Sequence, residues 1–334
     1  MKTFLFFLAL SIASTGAEDS SSTDVKDKFP ALARARSLNP PFPMATHGGD
    51  IEDQQFWTTN EQLIQDALKE YGKNHSQLYD FNTSFQENYM EPTLKEAVRN
   101  KDLRLLSSLI HETNAPGVYA IQIFNSDFAK DFLEELNHYE SSGIPLRRPN
   151  SMNRYGVILS MVGFDHLING IVGDVLNPLS RHLFGDFASP ADLQENYSFT
   201  VRYKPGMDKN LTEHTDHSTI TVNICLEASA AEKVLYFKNR RHSSSKKISY
   251  DDSPKFVSMS TPGMGLIHLG QHEHGVREVH GERTQLVIWM FGEDGYVRVA
   301  PYDKDEIAPH GWLSNQHENT EEDNNNRIQS KDEL

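Results

Sequence analysis

The sequence is short of cysteine, which limits how the fold can be stabilised. Among 334 residues, Cys225 is the only cysteine. An intrachain disulfide is therefore excluded, and so is a structural zinc site rich in thiolates. Because Cys225 lies in the apolar run "TVNICLE", we expect a buried small side chain there rather than a nucleophile. Stability must come from the hydrophobic core.

Positive charge is also scarce. The chain has 32 Lys and Arg against 47 Asp and Glu, a formal net charge of -15. This excess of negative charge repels phosphates, so no nucleic acid partner is expected. The sequence contains neither the glycine loop that cradles phosphates nor the G-x-S-x-G elbow of serine hydrolases. With 37% hydrophobic and 24% charged residues, the composition is typical of a globular enzyme.

Long hydrophobic runs are missing except near the N-terminus. The stretch "FLFFLALSIA" follows Lys2 and precedes the small residues Thr15 and Ala17. It is too short to span a bilayer, but its order of charge, apolar run and small residues predicts a signal peptide over residues 1–17. We expect entry into the secretory pathway and no stable membrane insertion.

The last four residues, "KDEL" at 331–334, match the address that the endoplasmic reticulum retrieval receptor reads. Retrieval has no meaning without entry, so the two ends together predict residence in the endoplasmic reticulum lumen, with the KDEL receptor as a partner. The sequons at Asn74, Asn82, Asn196 and Asn210 permit N-glycosylation in that compartment.

Composition and periodicity divide the chain into successive regions. Residues 18–59 carry clusters of Ser, Asp and Pro and predict a mobile leader. Apolar residues at spacings of three and four predict a helical region over 60–114. Branched and aromatic residues mark 115–299 as the main domain, and 300–334 form a polar tail.

Within the main domain, two helical patterns precede a series of short strands. The first helix is predicted to open on Ser126 as its N-cap, and the second covers the stretch from Phe164 to about Phe184. Between residue 184 and residue 299, short apolar runs alternate with turn residues. Six or more strands at such intervals favour an antiparallel sandwich or barrel.

Two residues, His214 and Asp216, lie just ahead of one of these strands. In extended backbone, residues two apart project to the same face, so an imidazole and a carboxylate can converge on one ion. An isolated His-x-Asp is more often a solvated loop, so the interpretation needs a third ligand on a neighbouring strand. Four histidines of the stretch 268–283 are candidates for that ligand: His268, His272, His274 and His280.

The ligand chemistry favours ferrous iron. Two imidazoles and one carboxylate leave coordination positions open, the arrangement of non-haem iron oxygenases, although catalytic zinc is an alternative. Downstream, Arg283 opens the alternating strand "RTQLVIWMFG". A buried arginine needs an anion, which could be a small dicarboxylic acid or a protein acid such as Glu282 or Glu278.

These motifs, in this order, resemble those of the 2-oxoglutarate and Fe(II)-dependent dioxygenases. Their amino-acid sequences are most similar to the PKHD-type (prolyl and lysyl hydroxylase-like) branch of that family. The stretches that carry the resemblance are "TVRYKPG", "TVNICLE", "LYF" and "GERTQLVIW". It spans about residues 115–299, the expected dioxygenase domain. It implies a mainly β fold with flanking helices, in which a double-stranded β-helix (jelly-roll) core follows a helical N-terminal region.

The resemblance also ranks the histidines, because the family's distal ligand precedes the co-substrate arginine by about nine or ten residues. His274 lies nine residues before Arg283 and is the expected ligand, with His272 as the fallback. By the same resemblance, Arg283 would bind 2-oxoglutarate and Tyr203 would be a second contact to it, unless Tyr203 is a packed strand aromatic. His268 is expected in the core or behind the ligands, and His280 in solvent.

The activity implied is hydroxylation of a prolyl or lysyl side chain in a protein or peptide of the secretory pathway. Iron and 2-oxoglutarate would be required, succinate and carbon dioxide would be released, and L-ascorbate would serve as reductant. No catalytic residue beyond the metal ligands is expected. Two alternatives stay open: a non-catalytic, chaperone-like lumenal binding protein and a zinc-dependent hydrolase. Related sequences usually have a glycine pair before "LYF", whereas this chain has the run "EASAAEK". In the family this loop lies near the mouth of the active site, so the departure concerns substrate choice more than iron binding.

Overall fold

The computed structural model describes most of the region between residues 29 and 291. The described residues are 29–38, 51–150, 152–185, 193, 195–229, 233–238 and 253–291. The predicted signal peptide and the tail with its KDEL sequence lie outside them. No helix within the described residues has the length and apolar character needed to cross a bilayer.

The helices precede the long strands in the chain. The α-helices are α1 (Pro30–Ala35), α2 (Ile51–Glu70), α3 (Thr83–Tyr89), α4 (Pro92–Asn100), α5 (Leu103–Ser108), α6 (Ser126–Ser141), α7 (Asp165–Ile171) and α8 (Asn177–Phe184). Short 3-10 turns lie at Ser76–Tyr79 and Ser160–Val162, and one π-helical turn, Val172–Leu176, joins α7 to α8. The segment from α7 to α8 agrees with the helical pattern predicted from Phe164 to Phe184.

The strands are short except for three of nine residues each. They are β1 (His111–Glu112), β2 (Tyr119–Gln122), β3 (Glu195–Tyr203), β4 (Leu211–His214), β5 (Ile220–Ala228), β6 (Leu235–Phe237), β7 (Lys255–Val257), β8 (Met264–Leu269), β9 (His274–Val276) and β10 (Arg283–Phe291). Each run that the sequence marks as a strand contains one of them.

The described strands form two antiparallel sheets. One sheet has six strands in the order β1-β2-β8-β5-β10-β3, and the other has four in the order β4-β9-β6-β7. In the larger sheet β10 lies between β3 and β5, so that Arg283 pairs with Tyr203 on one side and with Ala228 on the other. In the smaller sheet His214 pairs directly with His274.

The two faces of the large sheet pack against different layers, because successive side chains of a strand point to opposite faces. Along β10, Leu286, Ile288 and Met290 join the hydrophobic core that the helices share. Val287, between them, belongs to a second core that lies between the two sheets. Helix α6 packs against β5 on the helical side. The result is two facing sheets with helices on one outer face, which confirms the predicted double-stranded β-helix with flanking helices.

Two local features differ from the sequence-based expectations. Helix α6 is capped by Asn125, whose side chain accepts a hydrogen bond from the backbone N–H of Phe128, and not by Ser126, which lies inside the helix. Both residue types are good caps, so composition alone could not choose between neighbours.

The second difference concerns residues 18–59, where composition predicts a mobile leader. This range contains α1 and the first part of α2. Leu32 and Ala35 of α1 are buried, and the backbone N–H of Leu32 donates to the carboxylate of Glu70 at 2.8 Å. A few apolar side chains are enough to pack so short a helix against the rest of the protein. The composition of residues 18–59 is polar overall, so these few side chains do not change the prediction made from it.

Candidate metal and co-substrate site

Three residues converge in the space between the sheets: His214, Asp216 and His274. His214 ends β4 and His274 begins the neighbouring β9, so their side chains face each other across the strand pair. Asp216 follows β4 by two residues. One ligand-type atom from each residue lies within 4.8 Å of the other two. The structure therefore brings together the three residues proposed from the sequence, including His274 rather than His272.

The carboxylate of Asp216 lies between the two imidazoles. Its Oδ1 is 3.4 Å from Nε2 of His214, and its Oδ2 is 3.6 Å from Nε2 of His274. Both distances are longer than the roughly 2.8 Å of a charge-assisted hydrogen bond. Atoms that share an ion are held apart in this way, so the spacing suits a bound metal better than a direct ion pair.

Hydrogen bonds on the other ring nitrogens fix the tautomers. Nδ1 of His214 lies 2.8 Å from the carbonyl of Thr212, and Nδ1 of His274 lies 2.7 Å from the carbonyl of His272. A carbonyl only accepts, so each Nδ1 must carry a proton, and Nε2 is the ring atom that each histidine turns towards Asp216. A metal ion would satisfy all three groups at once.

The electrostatics of the three residues agree with this geometry. Burial alone would raise the pKa of the Asp216 carboxyl, but the neighbouring His274 and His214 outweigh burial and hold that pKa well below its usual range. Burial would lower the pKa of His214, yet its contact with Asp216 and the Thr212 carbonyl raises it. Asp216 is thus held as a carboxylate, the form in which it can bind a metal.

Asp216 is also fixed in position by its own neighbours. Its backbone N–H donates to the carbonyl of Gly270 at 2.8 Å, and Oδ2 accepts a hydrogen bond from the hydroxyl of Thr221 at 2.7 Å. Thr221 lies on β5, so the large sheet supports a ligand that belongs to the chain after β4. Only 4% of the Asp216 surface is exposed, which leaves the carboxylate little room to rotate.

The other histidines of the stretch 268–283 are outside this cluster. His268 is buried on β8, with Nδ1 against the carbonyl of Leu269 and Nε2 3.2 Å from the Asn223 amide. His272 turns Nε2 to the carbonyl of Lys238 at 3.0 Å, away from Asp216. His280 is exposed.

Arg283 lies in the same cavity as the three residues. Its side chain is 4% exposed, and Nη1 donates to the carbonyl of Met259 at 3.1 Å. The two acids suggested as protein partners pair elsewhere: Glu282 with Lys204 at 3.1 Å and Glu278 with Lys209 at 3.9 Å. A buried guanidinium lining an internal cavity provides a strong binding position for an anion.

Tyr203 lies beside Arg283 as its partner in the β3–β10 pairing. Burial raises the pKa of Tyr203 to about 12, against smaller opposing effects of Asn153 and of the Arg283 charge. The phenol therefore keeps its proton at physiological pH and can donate it to an acceptor. Tyr203 lines the cavity, which is compatible with a second contact to an anion held by Arg283.

The cavity between the sheets has a volume of about 190 Å³. Besides the metal-type cluster and Arg283, its lining includes Asn153, Gln285 and Trp289. The Nδ2 atom of Asn153, both amide atoms of Gln285 and Nε1 of Trp289 are buried without a nitrogen or oxygen hydrogen-bond partner among the described residues. Polar groups buried in this way are costly unless a ligand pairs with them. The donor set thus fits a polar, anionic small molecule.

Sequence reasoning did not assign these three polar residues to the site. Gln285 and Trp289 could have been found, because they share the alternating face of β10 with Arg283. Asn153 belongs to the loop between α6 and the 3-10 turn Ser160–Val162 and has no such periodic signal. Thr221, which donates a hydrogen bond to Asp216, lies in β5, and nothing in the sequence of that strand distinguishes it from an ordinary strand residue.

Comparisons with known proteins show which family the chain is similar to. A family model described as the OGFOD2-like domain matches residues 67–189, the segment from the end of α2 to just past α8. The "2-oxoglutarate and iron-dependent oxygenase domain-containing protein 2" of Danio rerio is 34% identical over 232 residues, covering 67% of this chain and 64% of that protein. The human "Procollagen-lysine,2-oxoglutarate 5-dioxygenase 1" is 25% identical over 130 residues, covering 37% of this chain and 18% of that protein.

Among solved structures, a Pseudomonas putida prolyl-4-hydroxylase aligns with 62% of this chain and 98% of that chain, with 14% identity and a TM-score of 0.37. The chain spans less than two thirds of the two curated relatives. By sequence, it belongs to the 2-oxoglutarate and Fe(II)-dependent oxygenase superfamily. Within it, the helices that precede the long strands are similar to the OGFOD2-like domain.

Proposed function

We propose that this protein is an Fe(II)- and 2-oxoglutarate-dependent dioxygenase of the endoplasmic reticulum lumen that hydroxylates a prolyl or lysyl side chain of a protein. One observation carries the proposal: a single cavity holds both a convergent His–Asp–His cluster and a buried arginine. The first binds a metal with positions left open, and the second binds a dicarboxylate. Neither a binding protein without turnover nor a zinc hydrolase requires both.

In this proposal, His214, Asp216 and His274 would hold the iron, and Arg283 would bind 2-oxoglutarate. Iron in this setting, with 2-oxoglutarate and dioxygen, supplies the oxidation of an unactivated carbon–hydrogen bond, and 2-oxoglutarate becomes succinate and carbon dioxide. L-ascorbate is proposed as the reductant that keeps the iron ferrous.

The chain itself provides orientation and exclusion of water. The carbonyls of Thr212 and His272 hold the two rings so that Nε2 faces the metal position. Arg283 neutralises the distal carboxylate, and Tyr203, which stays protonated, can donate to the same group. Phe199 and Val287, both buried, line the cavity between these positions and limit the entry of water.

The lumenal location is supported by the sequence at residues 1–17 and 331–334, and it makes the KDEL receptor a proposed partner. The name of a similar human protein, "Procollagen-lysine,2-oxoglutarate 5-dioxygenase 1", supports a protein substrate.

The test is succinate formation from 2-oxoglutarate by the purified full chain, with and without added Fe(II) and ascorbate. We expect turnover only with iron, and a loss of at least about 100-fold for Asp216→Ala, since even groups behind the ligands typically cost 10- to 100-fold. Glu213→Ala is the matched control, because this exposed carboxylate lies three residues before Asp216 and pairs with Lys238. Its activity should stay within about twofold, the range of an ordinary surface change.

Metal content separates the alternatives. Protein that contains zinc instead of iron and hydrolyses esters or amides would favour the hydrolase. Absence of iron uptake and of succinate formation would favour the chaperone-like binding protein. Activity of Asp216→Ala equal to that of the unchanged chain would contradict the metal assignment.

A further inference from the structure

The four N-x-S/T sequons lie in different structural environments. An oligosaccharide attached to asparagine is bulky and must extend into solvent, so its asparagine has to be at the surface of the folded protein. The structure describes all four positions: Asn74, Asn82, Asn196 and Asn210. Their surroundings divide them into one closed and three open sites.

Asn196 is the closed site. It lies on β3, half-buried, where its Nδ2 donates to Oδ1 of Asn169 on α7 at 2.8 Å and its Oδ1 accepts from the hydroxyl of Ser198 at 3.0 Å. Ser198, the hydroxyl residue of the sequon, is 5% exposed. Burial therefore leaves less room here than at an exposed sequon, because a sugar on Nδ2 would have to fit against Asn169 of α7 and beside the buried Ser198.

Asn74 is an open site. It is exposed in the turn between α2 and the 3-10 turn Ser76–Tyr79, and the other sequon residue, Ser76, is exposed too. Its side chain makes no hydrogen bond to any part of the chain that the structure describes. Attachment of a sugar at this position would displace nothing.

Asn210 is the second open site. It is exposed immediately before β4, and Thr212 of the same sequon is exposed on that strand. Leu211 between them lines the cavity, so alternation turns Asn210 and Thr212 to the outer face. The backbone carbonyl of Lys209 is held by the N–H of Val279 at 2.7 Å, which keeps this outward orientation. A glycan here would stand outside the sheet that carries His214.

Asn82 is also exposed, although both of its polar atoms are used. Oδ1 caps α3 by accepting from the N–H of Phe85 at 3.0 Å, and Nδ2 donates to Asp80 at 3.2 Å. Glycosylation replaces one of the two Nδ2 hydrogens and leaves Oδ1 unchanged. The cap is therefore compatible with a sugar, and the second Nδ2 hydrogen can still reach Asp80.

We propose that Asn74, Asn82 and Asn210 carry N-linked glycans in the mature protein and that Asn196 does not. This inference rests on the proposed lumenal location. In the transfer, Nδ2 bonds to the anomeric carbon of an oligosaccharide that is activated as a lipid-linked diphosphate. The bond from that carbon to the diphosphate oxygen breaks, Nδ2 loses one proton, and the lipid diphosphate leaves.

The experiment expresses the full chain, with both of its ends, in cells with a secretory pathway and compares its electrophoretic mobility before and after removal of N-glycans by amidase. Single Asn→Gln variants are made at all four sequons. Ser76→Ala, Ser84→Ala and Thr212→Ala are matched controls, because they remove a sequon while keeping its asparagine. We expect three glycan-sized steps in the unchanged chain, the loss of one step in N74Q, N82Q and N210Q and in each control, and no change in N196Q.

Loss of a step in N196Q, or an unchanged mobility in any of the other three variants, would overturn the inference. Protease protection in intact microsomes is measured on the same samples. Protected protein without glycans would contradict the inference alone, whereas protein that protease digests would contradict the lumenal location and the inference together.

Discussion

Two buried carboxylates, one among the helices and one between the sheets, have opposite surroundings. Glu135 on α6 is fully buried, and each of its oxygens has a donor. Oε1 accepts from the hydroxyls of Tyr79 at 2.7 Å and Tyr71 at 3.2 Å, and Oε2 accepts from the backbone N–H of His75 at 2.7 Å. Nothing further can bind there, so this carboxylate fastens the helices to one another.

Asp216 is nearly as buried, but its surroundings are incomplete. Thr221 donates to Oδ2, while the nearest groups otherwise are two imidazole Nε2 atoms at 3.4 and 3.6 Å. It opens on a cavity lined by Gln285 and Trp289, whose buried polar atoms have no nitrogen or oxygen partner in the part of the chain that the structure describes. A buried carboxylate that accepts hydrogen bonds from protein donors on both oxygens contributes to stability. A buried carboxylate that faces other metal-ligand side chains across a cavity marks a binding site for an ion.

Replacement of the structural carboxylate tests the first half of this comparison. We expect Glu135→Ala to lower the free energy of unfolding by about 3 kcal/mol, because it leaves the buried hydroxyl of Tyr79 and the backbone N–H of His75 without an acceptor. Glu134→Ala, at the preceding position of α6 and half exposed, should change it by less than about 0.5 kcal/mol. Chemical denaturation measures both. Equal effects of the two variants would contradict the role given to Glu135.

Arg283→Leu tests whether the anion position belongs to the site. Hydrogen bonds to charged groups contribute about 1.5–3 kcal/mol, so the 2-oxoglutarate concentration for half-maximal rate should rise by about 10- to 100-fold. Arg277→Leu is the control, since Arg277 is exposed and stacks on the ring of Phe256 at 4.2 Å. Steady-state succinate formation distinguishes the two variants. An unchanged half-maximal concentration in Arg283→Leu would remove Arg283 from the co-substrate position.

Gln285→Leu should move stability and function in opposite directions. Both amide atoms of Gln285 are buried and have no nitrogen or oxygen partner among the described residues, so an apolar side chain of similar size should raise the free energy of unfolding by about 1 kcal/mol in the absence of ligand. Co-substrate affinity should fall, because Gln285 lies two residues from Arg283 on the same face of β10. Loss of stability without loss of affinity would show that Gln285 is an ordinary core residue.

An alkaline titration should reveal the buried phenol of Tyr203. Its pKa is about 12 in the folded state against about 10 in the unfolded chain, so its stabilising effect is complete below about pH 10 and is lost as the pH rises towards 12. Tyr203→Phe should therefore reduce the loss of unfolding free energy between pH 10 and 11 by about 1 kcal/mol. Parallel pH curves for both chains would contradict this burial effect.

The sequence predicted the strands and the pairing of His214 with Asp216 because both depend on local spacing. Alternation along β5 and β10 marks each face, and His214 and Asp216 are two residues apart. The choice of His274 over His272 came from the resemblance to a family and agrees with the observed pairing of β4 with β9. That pairing is a long-range contact, which spacing alone cannot supply.

Features that depend on tertiary contacts were not predictable. The network around Glu135 joins α6 to residues about 60 positions earlier in the chain, and a lone glutamate in an amphipathic helix gives no sign of burial. The polar lining from Asn153 depends on how the loop after α6 folds against the cavity. The placement of α1 depends on its fit against α2 rather than on its own composition.

The central claim is that His214, Asp216 and His274 hold one ferrous ion while His272 only supports the site. An anaerobic titration of the metal-free full chain with Fe(II) tests it directly, using His274→Ala and His272→Ala as a pair. We expect one iron per chain, a loss of affinity of at least about 100-fold for His274→Ala, and a change of less than about tenfold for His272→Ala, whose backbone carbonyl still orients His274. Normal iron binding by His274→Ala together with its loss in His272→Ala would contradict the claim.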